Sequence, residues 1–198
     1  MSFVIVGLGN PEPEYEGTRH NVGRFMLKVL AKKFDFSDWK QDAKIKALVS
    51  KGKIAGKNVT FVFPDNFMNN SGSTVAPLIE SKKDLEKLVV VYDDIDLPIG
   101  RMKISFNRSS GGHNGLESII KKVRSQEFAR VRVGICPTTP TGKQKKPHGE
   151  KAVIDFLMKE FRESEITELK KLSKRIGESL ETWIVDGLPK MMSLGNRE

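Results

Sequence analysis

The side chains of Phe3, Val4, Ile5 and Val6 form an unbroken apolar run up to Gly7, which predicts a short buried strand. From Asn21 the period changes. Val22, Phe25, Met26, Val29 and Leu30 recur at spacings of three and four, while Arg24, Lys28, Lys32 and Lys33 face away. This predicts an amphipathic helix ending near Phe34. Asn21 is placed to cap it, because its side-chain oxygen can accept an orphan N–H of the first turn. Residues 45–50 and 59–63 read as strands around the turn Gly56-Lys57-Asn58, and Pro64 ends the second. A polar loop over 66–71 precedes a helix over about 72–82. Residues 88–92 form the clearest central strand and run into Asp93-Asp94-Ile95-Asp96.

A turn at Pro98 and Gly100 leads to a strand over 102–106, a flexible loop over 109–112 and a helix from Asn114 to about Arg124. Residues 131–135 are again a strand. Residues 137–150 hold three prolines, two glycines and several lysines, and read as a mobile loop within the domain. Helices over 152–161 and 166–186 follow. In the second, Ile166, Leu169, Leu172, Ile176, Leu180 and Trp183 form one stripe suited to core packing. The last dozen residues show no pattern. Strands alternate with helices, but a strand pair precedes the second helix. The expected fold is α/β, a single domain over 1–198 with a twisted mixed β-sheet flanked by helices.

Bulk properties narrow the class. A chain of 198 residues suits one substantial core. With 34 Lys+Arg against 25 Asp+Glu, the net charge of +9 favours a polyanionic partner, nucleic acid before an acidic membrane surface. Cys136 is the only cysteine, which excludes an intramolecular disulfide and a Cys-based zinc site and fits a reducing cytosol. The first residues read as a strand and not as a signal peptide. No apolar run approaches the roughly 20 residues of a membrane span, so a cytoplasmic protein without membrane contact is expected.

Candidate chemistry gathers at element ends. Gly7-x-Gly9-Asn10-Pro11-Glu12 fails as a dinucleotide fingerprint, because Glu12 replaces the third glycine and Pro11 removes an N–H. The glycines instead permit a tight strand exit that aims Asn10 outward. His20 is one of three histidines and precedes the first helix. The partial positive charge of a helix N-terminus disfavours imidazolium and would keep this ring neutral, as a general base requires. Asp93 ends the central strand and can orient the ring. No serine or threonine occupies a nucleophile elbow, so water is the expected nucleophile.

Asp93, Asp94 and Asp96 could instead form a metal site with His20 or His113, though no helical ligand pair supports it. Asn10, Asn69, Asn70 and Asn114 offer donor and acceptor together, suited to peptide-like groups, or serve turns and caps. Met68 could form an apolar wall or belong to the core. His113, beside Gly111-Gly112, could meet substrate at a helix start or face solvent. Arg101, Lys103, Arg108, Lys121, Lys122, Arg124, Arg130, Arg132 and the lysines of 143–151 could together track a phosphate backbone.

Six stretches occur in one order: Val-Gly-Leu-Gly-Asn-Pro at 6–11, Tyr-x-Gly-Thr-Arg-His-Asn-Val-Gly at 15–23, Phe-Met-Asn-x-Ser-Gly at 67–72, Tyr-Asp-Asp-Ile-Asp-Leu-Pro-x-Gly at 92–100, Gly-Gly-His-Asn-Gly-Leu at 111–116 and Arg-x-Gly-Ile at 132–135. Through them the chain resembles the bacterial-type peptidyl-tRNA hydrolases. The resemblance implies a monomeric, metal-independent enzyme without a cofactor. It would hydrolyse the ester between peptide and the 3′ end of tRNA, meeting the acceptor end of its substrate. It implies His20 as general base and Asp93 as its orienting partner. Asn10, Asn69 and Asn114 would bind substrate and position water, Met68 would line the cleft, and Tyr15 and His113 would sit at its edge. The stretch 137–150 resembles a basic lid. Lys103 and Arg132 match tRNA-binding positions. Ser105 stands where many members carry a lysine, and Arg108 is placed to compensate. A non-catalytic RNA-binding relative of the same fold is the alternative reading.

Overall fold

The computed structural model describes residues 2–197. Seven strands form one mixed sheet in the order β2-β3-β4-β1-β5-β7-β6. Strand β1 (Phe3–Gly7) lies between β4 (Lys57–Pro64) and β5 (Leu88–Pro98), parallel to both. Strand β7 (Ala129–Cys136) continues the parallel set beyond β5. On one side, β2 (Lys40–Asp42) and β3 (Ala47–Ile54) add to β4 as an antiparallel meander. On the other, β6 (Met102–Phe106) pairs antiparallel with β7 at the sheet edge.

Helices cover both faces, which explains why β1 and the first half of β5 read as continuous apolar runs. Ile5 joins the core beneath α1 (Val22–Lys33) and α6 (Glu163–Asp186), whose Leu169, Leu172, Ile176, Leu180 and Trp183 are buried as the stripe requires. Its neighbour Val6 points the other way, into a cluster with Val75 of α2 (Ser71–Val75) and Leu116 and Ile119 of α4 (Asn114–Val123). No helix among the described residues is long and apolar enough to cross a membrane.

Several boundaries differ from the sequence expectation: β2 was not expected, and β5 runs on to Pro98, so Asp93 lies within the strand and not at its end. The helix expected over 72–82 is broken: α2 passes into a 3-10 turn at Ala76–Leu78, and α3 is confined to Lys82–Leu85. Pro77 lacks the N–H that a continuing helix would need. The β3–β4 turn falls on Ala55 and Gly56, both at positive φ, the geometry of a two-residue hairpin turn. Helix α5 is Glu150–Leu157, so it starts and ends before the expected 152–161. The last dozen residues, without a pattern in sequence, contain α7 (Leu188–Gly195). Beyond it, Asn196 bonds both backbone groups of Ile104 and so protects the exposed edge of β6.

The carboxyl ends of β1, β5 and β7 open on one side of the sheet, where parallel α/β sheets place their sites. Helix α1 reaches this rim because Gly23 lies directly on the strands. A Cβ there would stand 2.3 Å from the Val91 carbonyl oxygen and 2.6 Å from the Leu8 nitrogen. Gly23→Ala must therefore push α1 off the sheet. Urea titration should show a loss of roughly 3 kcal/mol or more, at the upper end of overpacking costs; an unchanged midpoint would contradict this contact.

Candidate active site

Asp93 is 4% exposed on β5 and is the acceptor around which the site is built. The His20 Nδ1 lies 3.0 and 3.1 Å from its two oxygens, and the His113 Nε2 lies 3.0 Å from Oδ1. The local backbone orients the His113 ring. Its Nδ1 accepts from the Leu116 N–H at 3.2 Å, capping α4, so Nε2 of the neutral ring carries the hydrogen donated to Asp93. His20 likewise directs an Nδ1–H at the carboxylate, which leaves Nε2 as the acceptor of its neutral ring. The two imidazoles are 5.1 Å apart, and Tyr92 packs edge-on against His113.

Burial opposes ionisation of Asp93, but the charges and hydrogen bonds of the two histidines outweigh it and hold the carboxyl well below the usual carboxylate range. Burial also pushes the His20 imidazole down, yet the Asp93 charge and hydrogen bond prevail and raise it above its ordinary value of 6.5. This corrects the expectation that a helix start keeps the ring neutral. His20 sits in a 3-10 turn, Arg19–Asn21, ahead of α1, and the adjacent carboxylate dominates.

Asn21 does not cap α1. Its Oδ1 accepts from the Asn10 N–H at 2.8 Å and its Nδ2 donates to the Asn10 carbonyl at 3.0 Å. The Asn10 side-chain oxygen accepts from the Met68 N–H at 2.8 Å. One chain of amides thus ties the exit of β1, the His20 turn and the 67–70 loop together, and leaves the Asn10 Nδ2 as the remaining donor. Asn21 was legible only as a cap, because its partner lies eleven residues away.

A cleft of about 640 Å³ includes His20, Asp93, His113 and Asn114 in its lining. Lys103, Arg108 and Arg132 line the same cleft. Lys103 pairs in register with Arg132, so the two share a face of the sheet. Arg132 also donates to Asp94 at 2.5 Å. Arg130, two residues away, is instead fully buried, lies over Phe128 and donates to the Gln126 carbonyl. Asn10, Tyr15, Met68 and Asn69 lie outside this lining: Met68 belongs to the second core cluster, Asn10 is buried, Tyr15 is half-buried and Asn69 is exposed.

The carboxylates of 93–96 separate. Asp94 serves Arg132, and Asp96 pairs with Lys146 and accepts from Gln144 through its carbonyl. Residues 137–150 thereby contact the end of β5. His20, Asp93 and His113 are the one group of possible metal donors among the described residues, within 4.8 Å of one another. Their 3.0 Å nitrogen–oxygen separations are those of hydrogen bonds to a shared carboxylate.

A family model described as peptidyl-tRNA hydrolase matches residues 4–198. The chain is 36% identical over 182 residues to the peptidyl-tRNA hydrolase of Bacillus thuringiensis subsp. konkukian, covering 91% of this chain and 92% of the relative. It is 40% identical over 179 residues to that of Pelagibacter ubique, covering 90% of each. The crystal structure of peptidyl-tRNA hydrolase from Acinetobacter baumannii superposes with a TM-score of 0.85 at 27% identity, over 98% of this chain and 94% of that one.

Removing the Asn21 amide should leave two buried backbone groups of Asn10 without partners. Asn21→Ala is expected to lower stability by about 2–4 kcal/mol in chemical denaturation. A loss below 1 kcal/mol would show that the clasp is not holding the loop.

Proposed function

The chain belongs to the peptidyl-tRNA hydrolase family, and on that premise we propose how its cleft performs the reaction and which residues act. The bond broken is the ester between the peptide carbonyl carbon and the terminal ribose oxygen of tRNA, in peptidyl-tRNA released before its chain is complete. Water is the nucleophile. His20 Nε2 takes its proton as the water attacks the carbonyl carbon, and the imidazolium returns a proton to the departing ribose oxygen. Asp93 holds the His20 tautomer and stabilises the imidazolium. His113 holds Asp93 from the other side.

The observation that carries this reading is the Nδ1 contact of His20 with a buried carboxylate, in a cleft that also presents cationic side chains. Amide donors of Asn114 and Asn10 are assigned to the substrate carbonyl and the oxyanion. Met68 backs this region through its N–H bond to Asn10, and Asn69 and Tyr15 meet substrate at the rim. Lys103, Arg108 and Arg132 are assigned to tRNA phosphates, with Arg108 serving in place of a cation at Ser105, whose hydroxyl is buried. All of these groups come from one chain, which fits a monomer. Residues 137–150 act as a lid, with Lys146 facing the cleft.

Incubation with N-blocked aminoacyl-tRNA should release free tRNA. His20→Ala should lose roughly 100- to 10,000-fold in rate while keeping its circular dichroism spectrum. Equal rates would remove His20 from the mechanism, and no cleavage by either protein would favour an RNA-binding role. The base must be neutral, so the rate should climb as pH rises through a midpoint above 6.5. Asp93→Asn, without the charge that raises that midpoint, should move it downward and lower the plateau.

Neutralising Lys103 and Arg132 should raise KM for full tRNA substrates more than for a short ester, with a shallower dependence on salt. Parallel losses on both substrates would refute phosphate anchoring.

A further inference from the structure

Arg19 adjoins His20 but is not among the residues of the cleft wall. Its guanidinium is buried, and every partner it has lies far away in sequence. One terminal nitrogen donates to the Ile135 carbonyl near the end of β7 at 3.0 Å. The other donates to both carboxylate oxygens of Glu165, at 2.7 and 3.0 Å. Glu165 also accepts from the Arg162 N–H and so caps the start of α6. The rings of Phe156 and Phe161 lie 4.9 and 4.8 Å from the guanidinium carbon.

The backbone repeats this attachment. The Arg19 N–H donates to the Lys159 carbonyl at 3.0 Å, the Phe161 N–H donates to the Gly17 carbonyl at 3.1 Å, and Thr18 bridges to Glu160. The His20 turn is therefore paired, like a short strand, with the link between α5 and α6. Such an enclosure is more than a buried guanidinium needs for its charge, which the Glu165 carboxylate alone would balance. What it adds is geometry.

Helix α5 gives that geometry a use. It follows directly on residues 137–150, and none of its residues is fully buried. Val153 and Leu157 line the cleft, while Phe156 between them in sequence lies against Arg19. A substrate pressing on α5 must move Phe156 relative to the guanidinium or carry Arg19 with it. The adjacent 3-10 turn transmits that displacement to the imidazole, because the Asn21 and Val22 N–H groups bond back to Thr18 and Arg19.

We infer that Arg19 is a positioning residue that couples α5, a wall of the cleft, to the orientation of His20. This rests on His20 acting as the base. The coupling is made by the contact with Phe156, and Glu165 and Ile135 provide the fixed anchor.

The test uses the full chain and four variants. Phe156 is half-buried on a helix without buried residues, so Phe156→Ala should fold. It should lower kcat roughly 10- to 100-fold, the range for a catalytic group slightly misplaced, with KM within about twofold. Phe156→Tyr keeps the ring and should restore kcat. Arg19→Lys should fall in the same direction as Phe156→Ala. Ile154→Ala, on the exposed side of α5, should behave as the native protein.

Nitrogen chemical shifts of the His20 ring, measured without substrate, give an independent readout and should move in Phe156→Ala but not in Ile154→Ala. A folded Phe156→Ala with native kcat and native His20 shifts would overturn the coupling. So would a change confined to KM, which would make α5 a binding wall only. If the native protein cleaves no peptidyl-tRNA, the catalytic reading fails, while the His20 shifts still decide whether α5 and the ring are coupled. If Arg19→Lys does not fold, the Phe156 variants decide alone.

Discussion

Two imidazoles share one buried carboxylate, and the site is arranged so that this sharing is possible. An ionised Asp93 within the rim of a sheet is tolerable only if hydrogen-bond donors replace the water it loses. Both donors are supplied from outside β5: His20 from the turn before α1, and His113 from the cap of α4. The Leu116 N–H fixes His113 as a donor toward the carboxylate. The same contact raises the His20 imidazole above its ordinary value, so the group that orients the ring also sets the pH range over which it is neutral.

That arrangement needs three elements to meet within a few ångströms, and small residues allow it. Gly23 lets α1 rest on β1 and β5. Gly115 lets α4 close on the 67–70 loop, since a Cβ there would stand 2.5 Å from the Met68 sulfur. The Asn10–Asn21 clasp then locks the exit of β1 to the His20 turn. Arg19 anchors the opposite side of that turn to β7, α5 and α6. His20 is held from two directions by neighbours that never enter the cleft. The polar residues beside it in sequence are as much a part of its geometry as Asp93.

The cationic side of the cleft follows a different logic. Lys103 and Arg132 face the same way because they sit opposite one another in an antiparallel pair. Arg132 is partly balanced by Asp94, and Lys146 by Asp96. These pairs keep the surface from presenting an uninterrupted block of positive charge, and they leave Lys103 and Arg108 exposed at the entrance.

Apolar periodicity was enough to read β1, α1, the start of β5, β6, α4 and the long stripe of α6, because each buries a face whose spacing is local. The α/β class with a mixed sheet followed from their order. His20, Asp93 and His113 were visible as chemistry at element ends, and the family pattern was visible in six short stretches. Position in sequence could not show that Asn21 clasps Asn10 instead of capping a helix, that Arg130 is buried while Arg132 lines the cleft, or that Asp94 and Asp96 serve cations and not the Asp93 cluster. Nor could it show α7, or that Asn196 just beyond it satisfies the edge of β6 at Ile104, 92 positions away. The sequence by itself determined those strands and helices that bury a periodic apolar face, since that depends on neighbours a few residues apart. The tertiary structure alone decided which polar groups meet, since a hydrogen bond is a matter of ångströms between atoms that the chain keeps tens of residues apart.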